Sequence, residues 1–246
     1  MKNKTVIITG AASGIGKSTA ELFATQGTNT VLCDINEFEL EELAKTIRFN
    51  GGKAVTFKAD VSHPEEMKEL VDFTIKTHRQ LDIAVNNAGI SGEINQIEEM
   101  SIEGWKKVIE VNLNSVFYGM KYQIKAMLKN NGGSIVNISS ILGKVGFAGS
   151  AGYTAAKHGI IGLTETAALE YSSHNIRINA VGPAFIDTPL LKILDDNTRS
   201  QIVSLHPIGR LGKPEEVAEL IYWLGSEKAS LVTGSYYAID GGYLSK

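Results

Sequence analysis

The chain reads as an α/β protein, a single doubly wound domain whose parallel sheet of about seven strands is flanked by helices. Three observations lead there. Short strand-like runs alternate with helix-like segments from end to end. The runs are apolar, as strands covered on both faces by crossover helices must be. No linker, repeat or low-complexity break interrupts the 246 residues, so residues 1–246 are read as one domain. Right-handed crossovers then wind such a sheet in both directions.

The first strand is the β-branched run Thr5-Val6-Ile7-Ile8, followed by a glycine turn and a helix from Ile15 to Thr25. Thr30 to Cys33 is strand and Glu37 to Arg48 helix; Ala54 to Phe57 is strand and Glu65 to Thr77 helix. That last helix has a start signal, Ser62-His63-Pro64-Glu65, with Ser62 as the candidate cap and Pro in the first turn. Leu81 to Val85 and Ser134 to Ile138 are strands on either side of a long helix from Trp105 to Lys129. Ala151 to Ser173 is helix, Ile176 to Val181 strand, Glu215 to Leu224 helix and Tyr236 to Ile239 the last strand. Residues 185–211 break this rhythm. In an open α/β sheet ligands bind beyond the carboxyl ends of the strands, so an excursion there is expected to be a lid.

Composition narrows the function classes. The 24 basic and 27 acidic side chains give a net charge of −3, with no basic footprint for nucleic acid or an anionic membrane. The acidic residues between Glu37 and Glu42 read as a solvated helix face. One cysteine, Cys33 in an apolar run, rules out an internal disulfide and fits a small buried hydrophobe. No Cys/His cluster has zinc spacing, so no metal is expected. The start of the chain lacks a secretory pattern and no 18 apolar residues run together, so a cytoplasmic protein is expected.

The segment Thr9-Gly10-Ala11-Ala12-Ser13-Gly14-Ile15-Gly16 joins the first strand to the first helix. Glycines there allow a tight turn and close approach to a pyrophosphate, and the helix start offers free N–H groups. Asp34 ends the second strand, where a carboxylate can bind adenosine ribose hydroxyls. The same carboxylate repels a 2′-phosphate, and Ser13 supplies no cation to offset it. NAD is therefore expected over NADP.

Tyr153 and Lys157 stand four residues apart in a helical stretch and so share a face. A free phenol titrates near ~10, and a nearby cation lowers that toward useful acid/base strength. A Tyr/Lys pair alone is a common surface feature; its company is not. Thr9-Gly10-x-x-x-Gly14-Ile15-Gly16, Asp60-Val61, Asn86-Asn87-Ala88-Gly89, Asn112, Ser139-Ser140, Tyr153-x-x-x-Lys157 and Asp187-Thr188 follow in order. Over essentially its whole length the chain resembles the short-chain dehydrogenase/reductase family, and the implied fold is Rossmann-type.

That resemblance implies a role for each matching residue. Tyr153 would be the acid/base. Lys157 would hold the nicotinamide ribose and depress the phenol. Ser140, thirteen positions before Tyr153, would bind the substrate oxygen in preference to Ser139. Asn112 would interrupt the long helix and anchor a water in the proton relay. Gly10, Ser13, Gly14, Ile15 and Gly16 would cradle the pyrophosphate, with Asp60 and Val61 by the adenine. Asn87, Ala88 and Gly89 would line the adenosine side. Thr188 would meet the carboxamide or phosphates, with Pro183 and Ile186 counted alongside it. One departure stands out: the family usually carries Pro-Gly after the sixth strand, and here Pro183 is followed by Ala184, which would be strained if φ were positive.

Ser140, Leu142, Tyr153 and Phe185 are the expected substrate contacts, together with Ile141, residues 145–147, Leu190 and Leu191. These are mostly apolar, and no Arg or Lys converges there to clamp an anion. The expected reaction therefore interconverts a neutral secondary alcohol and its ketone. The runner-up is a 3-oxoacyl-(acyl-carrier-protein) reductase. Such enzymes use NADP and dock an acidic carrier on basic helix ends, where this chain has Asn130-Asn131 and Ser173-His174-Asn175. A third reading, a non-catalytic NAD-binding regulator, is opposed by the intact Ser140, Tyr153 and Lys157. The resemblance also implies a homotetramer packed through the two long helices, which Val108, Val111, Val116, Met120 and Ile124 would permit.

Overall fold

The strands are β1 (Thr5–Thr9), β2 (Asn29–Asp34), β3 (Lys53–Lys58), β4 (Ile83–Asn86), β5 (Gly133–Ile138), β6 (Ile176–Pro183) and β7 (Tyr236–Ile239). All pair in parallel, in the spatial order β3-β2-β1-β4-β5-β6-β7. The computed structural model from which this is taken describes residues 1–189, 191 and 195–245. The helices are α1 (Gly14–Thr25), α2 (Glu37–Phe49), α3 (Pro64–His78), α4 (Ile102–Ile109), α5 (Ser115–Lys129), α6 (Ala151–Tyr171), α7 (Asp196–Ser204) and α8 (Pro214–Gly225).

Alternate residues of each strand feed two separate cores. Val6, Ile8 and Leu32 pack under α1, α2 and α8 with Phe23, Leu40 and Ile221. Ile7, Val31 and Ile135 face α3, α5 and α6 with Leu70, Met120 and Ile160. This is the doubly wound sheet expected from the apolar strands, and the Rossmann-type fold that the resemblance implied. The chain leaves β1 outward through β2 and β3, then returns to β4 on the other side of β1. The strand order therefore reverses between β1 and β4, and Gly10 and Asn87 stand at the carboxyl ends that open the crevice.

Three expectations change. The long helix starts earlier, at Ile102, because the Ser101 hydroxyl accepts from Gly104 N at 2.8 Å and caps it. Its break into α4 and α5, at a π-turn over Glu110–Asn114, falls where Asn112 was expected to interrupt it. Within 185–211 the chain is not wholly irregular: Asp195 accepts from Asn197 N and Thr198 N, both at 3.0 Å, and starts α7. At α3 the cap is His63, while the Ser62 hydroxyl turns back to Asp60 Oδ1 at 2.6 Å. The local pattern Ser-x-Pro could not show that Asp60 competes for Ser62.

Candidate active site

The glycine turn is tightly built. Gly10 and Gly14 take positive φ, +64° and +53°, which glycine adopts without strain. A Cβ on Gly16 would lie 2.0 Å from the Gly10 carbonyl oxygen, so no other side chain fits. Asn87 latches the turn, donating through Nδ2 to the carbonyls of Thr9 and Gly10 at 2.9 and 3.1 Å. Thr9 Oγ1 accepts from the Asn87 and Ala88 amides. Asp34 projects into the same place: Oδ2 accepts from Ala12 N and Oδ1 from Asn36 N, each at 3.0 Å. The residues present thus make a cradle with an anion fixed at its far end, which fits a dinucleotide.

Thr188 closes over this cradle, since a Cβ on Gly14 would meet its Cγ2 at 3.2 Å. The stem of the 185–211 segment is tied shut by Asp187 N to Gly212 O at 2.8 Å and Gly212 N to Phe185 O at 3.0 Å. Ile186 is buried there and pairs with Gly212. Ala184 is not among the positive-φ residues, so alanine after Pro183 costs no backbone strain. Asp60 holds the Ser62 amide and hydroxyl, and Val61 is buried beside it.

Ser140, Tyr153 and Lys157 come together at the carboxyl end of β5. Ser140 Oγ accepts from Leu142 N at 3.1 Å, which leaves the hydroxyl proton free to be donated. Surrounding protein pushes the Tyr153 phenol above its ordinary range, although some of the residue stays accessible, and a hydrogen bond from Ser140 opposes the rise. Lys157 Nζ lies 5.4 Å from the Tyr153 ring centroid. It is buried, donates to the Ile138 carbonyl at 2.8 Å, and burial lowers its pKa to about 8. Net, the phenol rises where a fall was expected, because burial outweighs what draws it down, the Ser140 hydrogen bond included.

Asn112 sits in the π-turn and is fully buried. Both ends of its amide are committed to Ile90, accepting from its N–H and donating to its carbonyl, each at 2.8 Å. Its Oδ1 also lies against Gly89, whose missing Cβ would come 3.8 Å from Lys157 Nζ. One small volume thus holds Gly89, Asn112 and Lys157. Leu142 is buried in a short turn after Ser140. Phe185 stacks edge-on against Phe147 and His206, with centroids 6.2 and 5.7 Å apart, and lies 6.2 Å from Tyr243. Leu190 lies outside the described residues.

A family model described as enoyl-(acyl carrier protein) reductase matches residues 10–244. The chain belongs to the short-chain dehydrogenase/reductase family. Among curated members, cyclohexanol dehydrogenase of Acinetobacter sp. (strain SE19) is 52% identical over 99% of this chain and 96% of its own. The 3-oxoacyl-(acyl-carrier-protein) reductase of Thermotoga maritima is 42% identical over 98% of each chain. The crystal structure of levodione reductase superposes with a TM-score of 0.93 at 33% identity, covering 98% of both chains. A short-chain dehydrogenase/reductase is an enzyme class that uses nicotinamide cofactors, and this member has the seven-stranded fold of those structures.

Sequence reasoning undervalued two groups in this short-chain dehydrogenase/reductase. Ser139, set behind Ser140, donates through Oγ to the Lys157 carbonyl at 2.8 Å and ties β5 to α6. Tyr236, on β7, donates to the Ser140 carbonyl at 2.9 Å. The Ser139-Ser140 doublet could have signalled the first. No local signal could have found the second. Among the described residues no cluster of His, Cys, Asp or Glu is arranged to hold a metal, and no helix is long and apolar enough to cross a membrane.

Proposed function

We propose that this enzyme interconverts a neutral cyclic secondary alcohol and its ketone, with NAD preferred over NADP. The observation that carries the reading is the convergence of Ser140, Tyr153 and Lys157 beside a glycine cradle whose far end is the Asp34 carboxylate. The name of the 52%-identical relative, cyclohexanol dehydrogenase, supports the substrate class. The apolar walls at Leu142, Phe147 and Phe185 agree with it.

A bound nicotinamide would supply the acceptor for the hydride of the carbinol carbon. The chain's own residues do the rest. Tyr153, as phenolate, takes the proton from the alcohol oxygen, and Ser140 donates a hydrogen bond to that oxygen as negative charge develops. Lys157 holds the nicotinamide ribose, and Asn112 keeps the helix open beside it for the proton's exit. Gly10, Ser13, Gly14, Ile15 and Gly16 take the pyrophosphate; Asp60, Val61, Asn87, Ala88 and Gly89 take the adenosine. Pro183 and Ile186 take the carboxamide end under the 185–211 lid, and Thr188, against Gly14, meets the carboxamide or the phosphates. Asp34 takes the ribose hydroxyls; because Ala12 N and Asn36 N hold it in place, a 2′-phosphate would meet a fixed anion.

A panel of alcohols followed by NADH absorbance tests this. Cyclohexanol with NAD is expected to turn over faster than with NADP, and NADH to raise the melting temperature more than NADPH. Equal or reversed cofactor ranking would remove the Asp34 argument. The panel includes an acyl thioester, because a carrier-protein reductase is the second reading. A hollow of about 300 Å³ between α3 and α5, lined by Lys68, Arg79, Lys125 and Lys129, offers cations to an acidic carrier, although Asp72 pairs with Lys68 at 2.7 Å.

We place the enzyme as a homotetramer, on the family resemblance. Val108, Val116, Met120 and Ile124 do not argue for assembly, because all four are buried within one chain. Phe117 and Leu169, exposed on α5 and α6, are the better candidates for a subunit contact. Light scattering should return four times the 26.5 kDa chain mass; a monomer would refute the assembly.

A further inference from the structure

Tyr236 stands outside every motif in the sequence. It is on β7, paired with Ala180 of β6, and β6 separates it from β5. Its hydroxyl nevertheless reaches the main-chain carbonyl of Ser140. The side chain gets there by crossing β6 at Gly182. A Cβ at that glycine would lie 1.9 Å from the Tyr236 hydroxyl oxygen and 2.2 Å from Cζ. Gly182 is not a positive-φ residue, so what it provides is space.

The Ser140 carbonyl also accepts from Gly143 N at 2.9 Å, so both of its lone pairs are used. On the outer side, Lys144 Nζ lies 5.1 Å from the Tyr236 ring centroid. Burial, aided by Asp240, pushes the Tyr236 phenol up to about 12, so it stays a proton donor throughout the working range.

We propose that Tyr236 is a positioning residue: passing through the gap at Gly182, it pins the Ser140 carbonyl and so aims the Ser140 hydroxyl at Tyr153. The proposal rests on the roles given to Ser140 and Tyr153 above. Tyr153 itself stays the group that meets substrate.

Tyr236→Phe removes one hydroxyl and keeps the ring in its gap. In the resting enzyme, the onset of Tyr153 phenolate absorbance, each protein read against its own Tyr153→Phe control, should move to higher pH, because the Ser140 bond that opposes burial is weakened. With cyclohexanol and NAD, kcat should fall between about 10- and 100-fold while KM for NAD stays within about twofold, as expected when a reacting group is slightly misplaced. Gly182→Ala should push the tyrosine aside and give the same shift, and the double variant should be no worse than Gly182→Ala alone. An unchanged titration and kcat in Tyr236→Phe would overturn the proposal. Should wild type oxidise no cyclic alcohol, the functional reading fails, and the titration alone still decides the role of Tyr236.

Discussion

Tyr153→Phe will lower cyclohexanol turnover by about 1000-fold, within the range general acid–base catalysis supplies, and leave thermal stabilisation by NADH unchanged. The phenylalanine ring keeps the packing of α6 and removes only the proton acceptor. Nothing in the glycine cradle depends on that hydroxyl, so the cofactor should bind as before. The phenol's pKa is raised by burial and lowered by Ser140, with burial dominant. Oxidation needs the phenolate and reduction the phenol. Wild-type oxidation should therefore climb with pH into the alkaline range, and reduction should fall there. The variant should lose both limbs. Residual turnover within tenfold of wild type would mean that another group moves the proton.

Lys157→Met will make the protein more stable at pH 7 and close to inactive. Lys157 is 4% exposed, has no carboxylate partner among the described residues, and donates to the Ile138 carbonyl. Burial lowers its pKa from 10.5 to about 8, so the folded chain resists a proton that the unfolded chain binds readily. The sign follows: between about pH 8 and 10.5 the unfolded state holds more protons, and stability rises with pH across that window. Below pH 8 the full penalty applies. A shift of this size corresponds to about 3 kcal/mol at most, and the lost bond to Ile138 returns about 1 kcal/mol of it.

Urea unfolding at pH 7 should therefore show the methionine variant ahead by about 1–2 kcal/mol, the difference between those two effects. The margin should shrink as pH rises from 8 toward 10.5. A variant less stable than wild type at pH 7 would show that the burial penalty is already met within the fold. A destabilising group kept at the centre of a site is the usual mark of function set against stability.

Much of the fold was legible because parallel strands must be apolar on both faces. Thr5-Val6-Ile7-Ile8 supplies Val6 and Ile8 to one core and Ile7 to the other, and the run has no other sensible location. The glycine turn was legible for a steric reason. Gly10, Gly14 and Gly16 each occupy places where a Cβ is strained or collides. Tyr153 and Lys157 share a face because helical spacing requires it. The π-turn at Glu110–Asn114 was legible only through the resemblance, because it is the distant pairing of the Asn112 amide with Ile90 that accompanies it. Helix α7 starts at an Asp195 cap, a signal that a segment read as a lid concealed.

By itself, then, the sequence determined the layered α/β architecture, the cradle and the order of the reacting residues. Those depend on local sterics and on periodicity, which neighbouring residues carry. Tertiary structure alone decided how the groups act on one another. It buried Lys157 against the Ile138 carbonyl, let burial outweigh the Ser140 bond at the phenol, and sent Tyr236 across β6 to hold Ser140. Each of these depends on solvent exclusion or on a contact between distant strands, and neither is written in the spacing of residues along the chain.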